Sequence, residues 1–430
     1  MPDESVLDSM RADWNQRAQE DANYYVAFGR RNQPEAEFFE SAADVVRLLE
    51  TELRRRDPQV WREGSALEIG CGPGRLMRPM SRHFQRLYGV DVSDEMIRRA
   101  EHNLRGLPNV TLSCNRDSTL APFPDGSIDF IYSYAVFQHI PSREVVEGYL
   151  SDAIRILRPG GLFVFQINGL RDTGHAKSTW DGVRVGAEDI MDLAGRWGVS
   201  LLALNDPDTQ YMWVTLRKPL SRSGEQPPPS NIRRLENCYT GEPLIPAAGR
   251  FGSLSIWLDN LPDDCDLLSL TARIDGTRVG GCYVSPPTNG LHFFNVVLPR
   301  GTRTGLVPVD VEWKGQRLCP AGWARVVPAA PRIPRVCSLT DGIDLLSDRR
   351  IVSGVVKLIM EEVLAPETLR IALSGAPIVH SGFCVNPLHE RYEFNFRVPA
   401  GTPNGCHTLE LVLGTRVFAP VPLEIAVAAG

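Results

Sequence analysis

Acid and glycine alternate in LEIGCGPGRL, residues 67–76, where Glu68 precedes Gly70, Gly72 and Gly74. Glycines at every second position let the chain turn tightly and bring a ligand onto bare backbone. The dinucleotide fingerprint needs glycine at its first, third and sixth positions. Here the sixth position is Arg75 or, counted from Gly72, Met77, and no GK[ST] follows to make a phosphate loop. Glu68 closes an apolar run, where a carboxylate is costly unless it meets an ammonium or an ordered water. Pro73 stiffens the turn, and a helix expected after it would offer its N-terminus to a carboxylate. The ligand these features describe is a nucleoside with an amino-acid tail. Asp91, closing LYGVDV, lies at the roughly 20-residue distance from Gly70 at which an acid accepts ribose hydroxyls. Ser93 then reads as a helix N-cap with Asp94 and Glu95 in the first turn, and Asp117 is placed to accept from an exocyclic amine.

The elements that must hold these residues are legible as alternation. The runs SALEIG, RLYGVDV, NVTLSC, IDFIYSY, GLFVFQI, VSLLALN and YMWVTLRK read as strands. Between them GRLMRPMSRHF, SDEMIRRAEHNL, REVVEGYLSDAIRIL and AEDIMDLAGRWG read as helices. This pattern predicts a doubly wound α/β sheet over residues 58–220, and the last two runs, with no helix between them, predict a closing antiparallel hairpin. Residues 1–57 read as helical, with apolar Phe38, Phe39, Ala42, Val45, Val46, Leu48 and Leu49 at one-face spacing.

Residues 221–236 open with SRSGEQPPPSN, a proline-rich linker. Beyond it short branched runs alternate with Gly, Pro and Asn, the pattern of all-β sandwich modules. FFNVVLPRGTRTG (293–305) matches EFNFRVPAGTPNG (393–405), with Asn295/Asn395, Pro299/Pro399, Gly301/Gly401, Thr302/Thr402 and Gly305/Gly405 coinciding. The segments around Cys238 and Cys337 pair loosely. Two copies of one module are expected, 237–330 and 331–430.

Taken in order, LEIGCGPGRL, GVDVSDEMI, RDSTLAPFPDGSIDFIYS and AIRILRPGGLFVF resemble the motifs of class I S-adenosylmethionine-dependent methyltransferases, of the small-molecule type 11-like kind. The resemblance covers about residues 60–218. It implies a Rossmann-like seven-stranded sheet with a reversed last strand, S-adenosyl-L-methionine as cofactor and S-adenosyl-L-homocysteine as product. It also implies that Glu68, Gly70, Cys71, Gly72 and Gly74 line the methionine and ribose part. Asp91 and Val92 then take the ribose, Met96 packs on adenine, Asp117 and Ser118 address its edge, and Ser133 stands alongside. An extra residue between Asp117 and the Pro-Phe pair departs from the family spacing. WNQRAQEDANYYVAFGRR is similar to the lid helix of some relatives, which would bring Tyr25 to the cofactor and Tyr24 and Arg30 to its carboxylate or to substrate; packing is the competing reading. His139 is the candidate base, with a positioning role as the alternative. Tyr134, His175 and Trp180 are candidate substrate contacts. The tail texture resembles immunoglobulin-like modules attached to many bacterial proteins.

Composition narrows the function. A length of 430 residues exceeds one ordinary core, and a formal charge of −6 argues against nucleic acid as partner. No apolar run approaches the ~18 residues of a membrane span. MPDESVLDSMRADW has no basic n-region or apolar h-region, so no signal peptide is expected. Seven of the nine cysteines follow residue 237, but none makes a CxxC pair, and the His spacing suggests no metal. A reduced, cytoplasmic chain is the expectation. No NPPY-like amide clamp follows strand four, where SYAV stands, so an oxygen, nitrogen or carbon on a small metabolite or sugar is the expected acceptor. The tail would serve a homodimer or acceptor presentation. The other readings are a cofactor-binding scaffold without turnover and a glycan-binding or assembly protein acting through its tail.

Overall fold

Branched and aromatic runs between residues 65 and 217 pair into one sheet because most are too apolar to leave either face in water. A computed structural model describes residues 4–27, 29–172, 174, 177–220 and 229–427. Four helices come first: α1 (Glu4–Ala27), α2 (Glu35–Glu40), α3 (Ala43–Leu53) and α4 (Pro58–Arg62). The sheet strands and their helices are β1 (Ser65–Ile69), α5 (Met77–Met80), β2 (Arg86–Asp91), α6 (Asp94–Asn103), β3 (Val110–Cys114), β4 (Ile128–Ser133), α7 (Arg143–Ile156), β5 (Leu157–Ile167), α8 (Ala187–Trp197), β6 (Ser200–Asn205) and β7 (Met212–Arg217). The strand order is β3-β2-β1-β4-β5-β7-β6. The first five strands are parallel, whereas β7 runs antiparallel to both β5 and β6. The expected seven-stranded fold with its reversed last strand is therefore present.

Leu67, Ile69, Ile131, Phe163 and Phe165 meet Leu150 of α7 and Ile190 of α8 on one face. Ala66, Phe130, Tyr132 and Val164 meet Val45, Leu49, Met77 and Ile97 on the other. One helix is shorter than its sequence suggests. GRLMRPMSRHF yields only the four-residue α5 and a 3₁₀ turn, Ser81–His83. Pro79 has no N–H to continue the ladder, so this turn offers no extended helix dipole to a ligand.

The chain forms two compact units, Met1–Glu20 with Ala42–Ala330 and Asp21–Ser41 with Pro331–Gly430. Residues 1–57, expected as one lid, are thus shared between them. The break falls in α1 at Asp21, whose backbone leaves the helix (φ −167°, ψ 86°).

The first unit also contains a β-sandwich: β8 (Asn231–Asn237), β9 (Leu244–Pro246), β10 (Ser253–Asp259), β11 (Leu270–Ile274), β12 (Thr277–Val284), β13 (Leu291–Val297), β14 (Gly305–Trp313), β15 (Gln316–Arg317) and β16 (Gly322–Val327). The second unit holds β17 (Arg335–Asp341), β18 (Arg350–Ile351), β19 (Val355–Glu361), β20 (Leu369–Leu373), β21 (Ala376–Ile378), β22 (His380–Asn386), β23 (Arg391–Arg397), β24 (Gly405–Leu413), β25 (Arg416–Val417) and β26 (Val421–Ile425). The order β8-β10-β13-β12 over β9-β16-β14-β11 recurs as β17-β19-β23-β22 over β18-β26-β24-β20. Strand β12 serves both sheets of the first sandwich, pairing β11 with its first half and β13 with its second. In the second sandwich that work is divided between β21 and β22. The upstream correspondence shifts. Asn237 accepts from the amides of Tyr239 and Thr240, as Asp341 does from Ile343 and Asp344, so Cys238 matches Gly342 rather than Cys337.

The first sandwich is joined to the α/β sheet. Strand β12 pairs with β6, setting Tyr283 opposite Ala203, and Leu267 N–H donates to the Leu201 carbonyl at 2.8 Å. The Tyr283 hydroxyl donates to Glu52 Oε1 at 3.0 Å, and Glu52 is paired with Arg55 at 2.7 Å, both side chains almost fully buried. Glu52→Ala would leave Arg55 without its carboxylate. It should cost about 3 kcal/mol in denaturant unfolding, with Tyr283→Phe costing about 1 kcal/mol. Unchanged midpoints for both variants would show that this contact does not tie the sandwich to the sheet.

Candidate functional site

The glycine turn leaves β1 with Gly70, Gly72 and Gly74 all at positive φ (71°, 52° and 86°). Gly70 cannot be replaced cheaply, because an added Cβ would lie 2.2 Å from Val136 Cγ2. Ala135, just before Val136, lies after β4 in the left-handed region at φ 56°. A non-glycine residue there carries strain, a feature that gathers at functional sites. Gly70 and Cys71 donate to the Val90 carbonyl at 2.8 and 3.0 Å, so the turn is stitched to the end of β2.

Asp91 completes the stitching. Its Oδ2 accepts from Gly72 N–H and its Oδ1 from Ser93 N–H, each at 2.9 Å. Burial pushes its pKa up to about 6, and the amide donors hold it from rising further. A carboxylate has about four lone-pair sites, so two remain for a ligand's hydroxyls. Ser93 Oγ caps α6 by accepting from Met96 N–H at 3.1 Å.

Glu68 is the costlier acid. It is buried, and its Oε2 has no hydrogen-bond partner. Tyr132 stands opposite it in the β1–β4 register, and the Tyr132 hydroxyl is also buried without a geometrically sound partner. Burial pushes the Glu68 pKa up to about 8, with the Tyr132 hydroxyl and Arg75 acting against it and Asp91 adding to it. Glu68 is therefore largely neutral near pH 7 and becomes a carboxylate when a cation or strong donor is supplied.

The wall beyond β3 is set by Tyr149 of α7. Its hydroxyl donates to the Asp117 carbonyl at 2.8 Å and meets Asn115 Nδ2 at 3.0 Å. Asp117 is exposed while Ser118 is buried, as are Cys71, Met96 and Ser133; Val92 is half-buried. Ser133 Oγ donates to the Ile69 carbonyl at 2.9 Å, tying β4 to β1. Tyr134 stacks on Trp213 of β7 with centroids 5.6 Å apart, and the Arg75 guanidinium lies 5.4 Å from the Tyr134 ring.

The first half of α1 spans the ends of these strands. Asn15 Oδ1 accepts from Ser93 Oγ at 2.7 Å and from Glu95 N–H at 3.1 Å, capping α6 a second time. Arg17 donates to the Thr179 carbonyl at 3.1 Å and lies 4.8 Å from the rings of both Trp14 and Trp180. The helix is latched on one side to the β2 end and on the other to the loop after β5. Asn15, Arg17 and Thr179 were not picked out by the sequence reading. Their partners are remote in the chain, and no local spacing marks them. Tyr24, Tyr25 and Arg30, the expected lid contacts, belong instead to the second unit. There Arg31 packs over both tyrosine rings and bonds the Tyr25 hydroxyl at 3.2 Å, while Arg30 pairs with Glu37.

His139 is buried between Trp14 and Trp180, with ring centroids at 5.5 and 5.4 Å. Its Nδ1 lies 2.9 Å from the Trp180 carbonyl, which accepts only, so Nδ1 carries the proton. Nε2 faces the Gln138 amide at 3.3 Å. Burial pulls its pKa down to about 4. The imidazole therefore clamps two loops and is neutral throughout the physiological range. His175 lies outside the described residues. Among those described, no cluster of His, Cys, Asp and Glu could hold a metal ion.

The profile of the family described as a methyltransferase domain matches residues 67–165. The chain carries a class I methyltransferase domain. It is 32% identical over 129 residues to an uncharacterized 37.1 kDa protein in transposon TN4556 of Streptomyces fradiae, covering 29% of this chain and 33% of that protein. It is 31% identical over 98 residues to the demethylmenaquinone methyltransferase of Tropheryma whipplei, covering 23% and 39%. The chain thus spans little more than a third of the length of these curated relatives. A solved magnesium protoporphyrin IX methyltransferase from Synechocystis, with bound S-adenosylhomocysteine, aligns at TM-score 0.37 and 14% identity, covering 48% of this chain and 97% of that one.

The methyl donor of the family is S-adenosylmethionine, and the residues present suit it. Glu68 offers an orphaned buried acceptor to an ammonium, Asp91 has lone pairs left for ribose hydroxyls, and the turn at Gly70 admits no side chain.

Glu68 also sets a pH dependence. Its folded pKa near 8 lies above the ordinary carboxylate value of 4.5, so the folded chain binds more protons than the unfolded one in that window. Its contribution to stability consequently falls as pH rises from about 4.5 to about 8. Glu68→Gln should raise the melting temperature of the ligand-free chain, by more at pH 8 than at pH 5. A destabilised variant, or a gain independent of pH, would contradict the buried neutral acid.

Proposed function

We propose that this chain transfers the methyl group of S-adenosylmethionine to an oxygen, nitrogen or carbon of a small organic acceptor, a metabolite or sugar, with its β modules serving assembly or acceptor presentation. The observation that carries the proposal is the pair of acids, buried Glu68 and half-buried Asp91, at the ends of adjacent strands beneath a turn that admits no side chain at Gly70. The bound sulfonium supplies an already activated methyl carbon. The protein's work is then to align, exclude water and hold the acceptor. Asp91 holds the ribose, Glu68 neutralises the ammonium, Met96 packs against the base, and Asp117 and Ser118 address its edge.

The latch of Asn15 and Arg17 over the strand ends favours closure of the site during transfer. Trp14, His139 and Trp180 together form the aromatic side of that closure, which suits a flat or ring-bearing acceptor. Relatives are named as a demethylmenaquinone methyltransferase and a sterol 24-C-methyltransferase. His139 is assigned a positioning role, since its Nδ1–H bonds the Trp180 carbonyl and its Nε2, the nitrogen that could take a proton, already faces the Gln138 amide.

Calorimetry with S-adenosylmethionine tests the site. Wild type should bind, Asp91→Ala should weaken binding at least tenfold, and Asn15→Ala should weaken it less. Absence of binding by wild type, or unchanged binding by Asp91→Ala, sinks the assignment. Once an acceptor panel yields S-adenosylhomocysteine, His139→Asn should keep kcat within about tenfold of wild type, since loss of a general base costs about 10²–10⁴-fold. A loss of about a hundredfold or more at every pH, with cofactor binding unchanged, would make His139 the base.

A further inference from the structure

The two sandwiches share a strand order but differ in what covers one edge. In the first, β12 is the outer strand of its four-stranded layer, and that edge pairs with β6 of the methyltransferase sheet. The equivalent strand in the second sandwich is β22. In register, Val284 of β12 and Gly382 of β22 stand opposite Phe294 and its repeat-equivalent Phe394, and Tyr283 and Ser381 stand opposite Asn295 and Asn395. Gly281, Tyr283 and Val284 are buried by the docked edge and their own sandwich. Ser381, Gly382 and Phe383 are exposed, Phe383 by 42%, with Val379 just before them 94% exposed. Among the described residues β22 pairs only with β23.

An edge strand left open is normally blunted by Lys, Glu or Pro. HSGFCVN carries none of these and has no charge beyond what His380 can take up. The strand that fills this place in the first sandwich is not available to the second, because β6 is paired on both edges, by β7 and β12. A second copy of β22 fits instead. Two-fold antiparallel pairing sets like residues near one another, which a strand without Lys, Arg, Asp or Glu tolerates.

We propose that the β22 edge of the second sandwich is a homodimer interface, in which β22 pairs with β22 of a second copy to continue the β17-β19-β23-β22 layer across a two-fold axis. This sharpens the assembly reading of the tail and does not depend on methyl transfer.

The test is light scattering of the full chain over a range of micromolar concentrations, with cofactor binding measured in parallel. Wild type should run at twice the chain mass. The pair Ser381→Lys and Phe383→Lys should run as monomer, whereas Trp323→Lys, at an exposed aromatic on the first sandwich (62% exposed), should stay dimeric. All three proteins should bind S-adenosylmethionine alike if the methyltransferase site is as assigned, which separates failure of that reading from failure of this one. Should the lysine pair fold poorly, hydrogen exchange on wild type replaces it: the β22 amides should be protected in concentrated samples and exchange at least tenfold faster on dilution. A monomeric wild type, a lysine pair that stays dimeric, or β22 exchange independent of concentration would overturn the proposal.

Discussion

Two turns at the ends of adjacent strands are held together by one carboxylate. Asp91 accepts from Gly72 in the turn after β1 and from Ser93 at the start of α6, and Asn15 then reaches Ser93 from the N-terminal helix. The β1 turn, the α6 cap and the overlying helix are thus parts of one hydrogen-bonded assembly. Burial raises the Asp91 pKa, yet its amide donors favour the ionised form. Glu68, one strand away, has no comparable donors, and its orphaned oxygen is a standing cost in the free protein. Stability surrendered at such a position is common where a site awaits a charged ligand.

The rest of the first unit supports this assembly from a distance. The α/β sheet does not end at β6; it continues into the first sandwich through β12, and the Glu52–Arg55 pair with Tyr283 locks α3 against that junction. The α3 helix also covers the sheet face on which Tyr132 lies. The sandwich therefore closes an edge of the methyltransferase sheet that would otherwise present unpaired backbone.

Much of this was legible in the chain. The strands followed from apolar runs, the closing hairpin from a missing helix, and Asp91 from its distance to Gly70. The hundred-residue repeat reappeared as identical strand order, with Phe294 and Phe394 at matching places. What could not be read was tertiary. Asn15 meets Ser93 across 78 positions and His139 meets Trp180 across 41, and no local pattern encodes either. The division of α1 at Asp21 also escaped the helical periodicity; it puts Tyr24, Tyr25 and Arg30 in the second unit and leaves Asn15 and Arg17 in the first. The short α5 was foreseeable, since Pro79 stood in the predicted helix.

A Glu68 that is protonated in the free protein and ionised beside a cationic group should be visible in titration calorimetry of S-adenosylmethionine at about pH 7, run in buffers of different ionisation enthalpy. Binding should release a proton, so that the apparent enthalpy tracks the buffer, and the release should vanish in Glu68→Gln. An enthalpy that is the same in every buffer, or proton release that survives in Glu68→Gln, would contradict it.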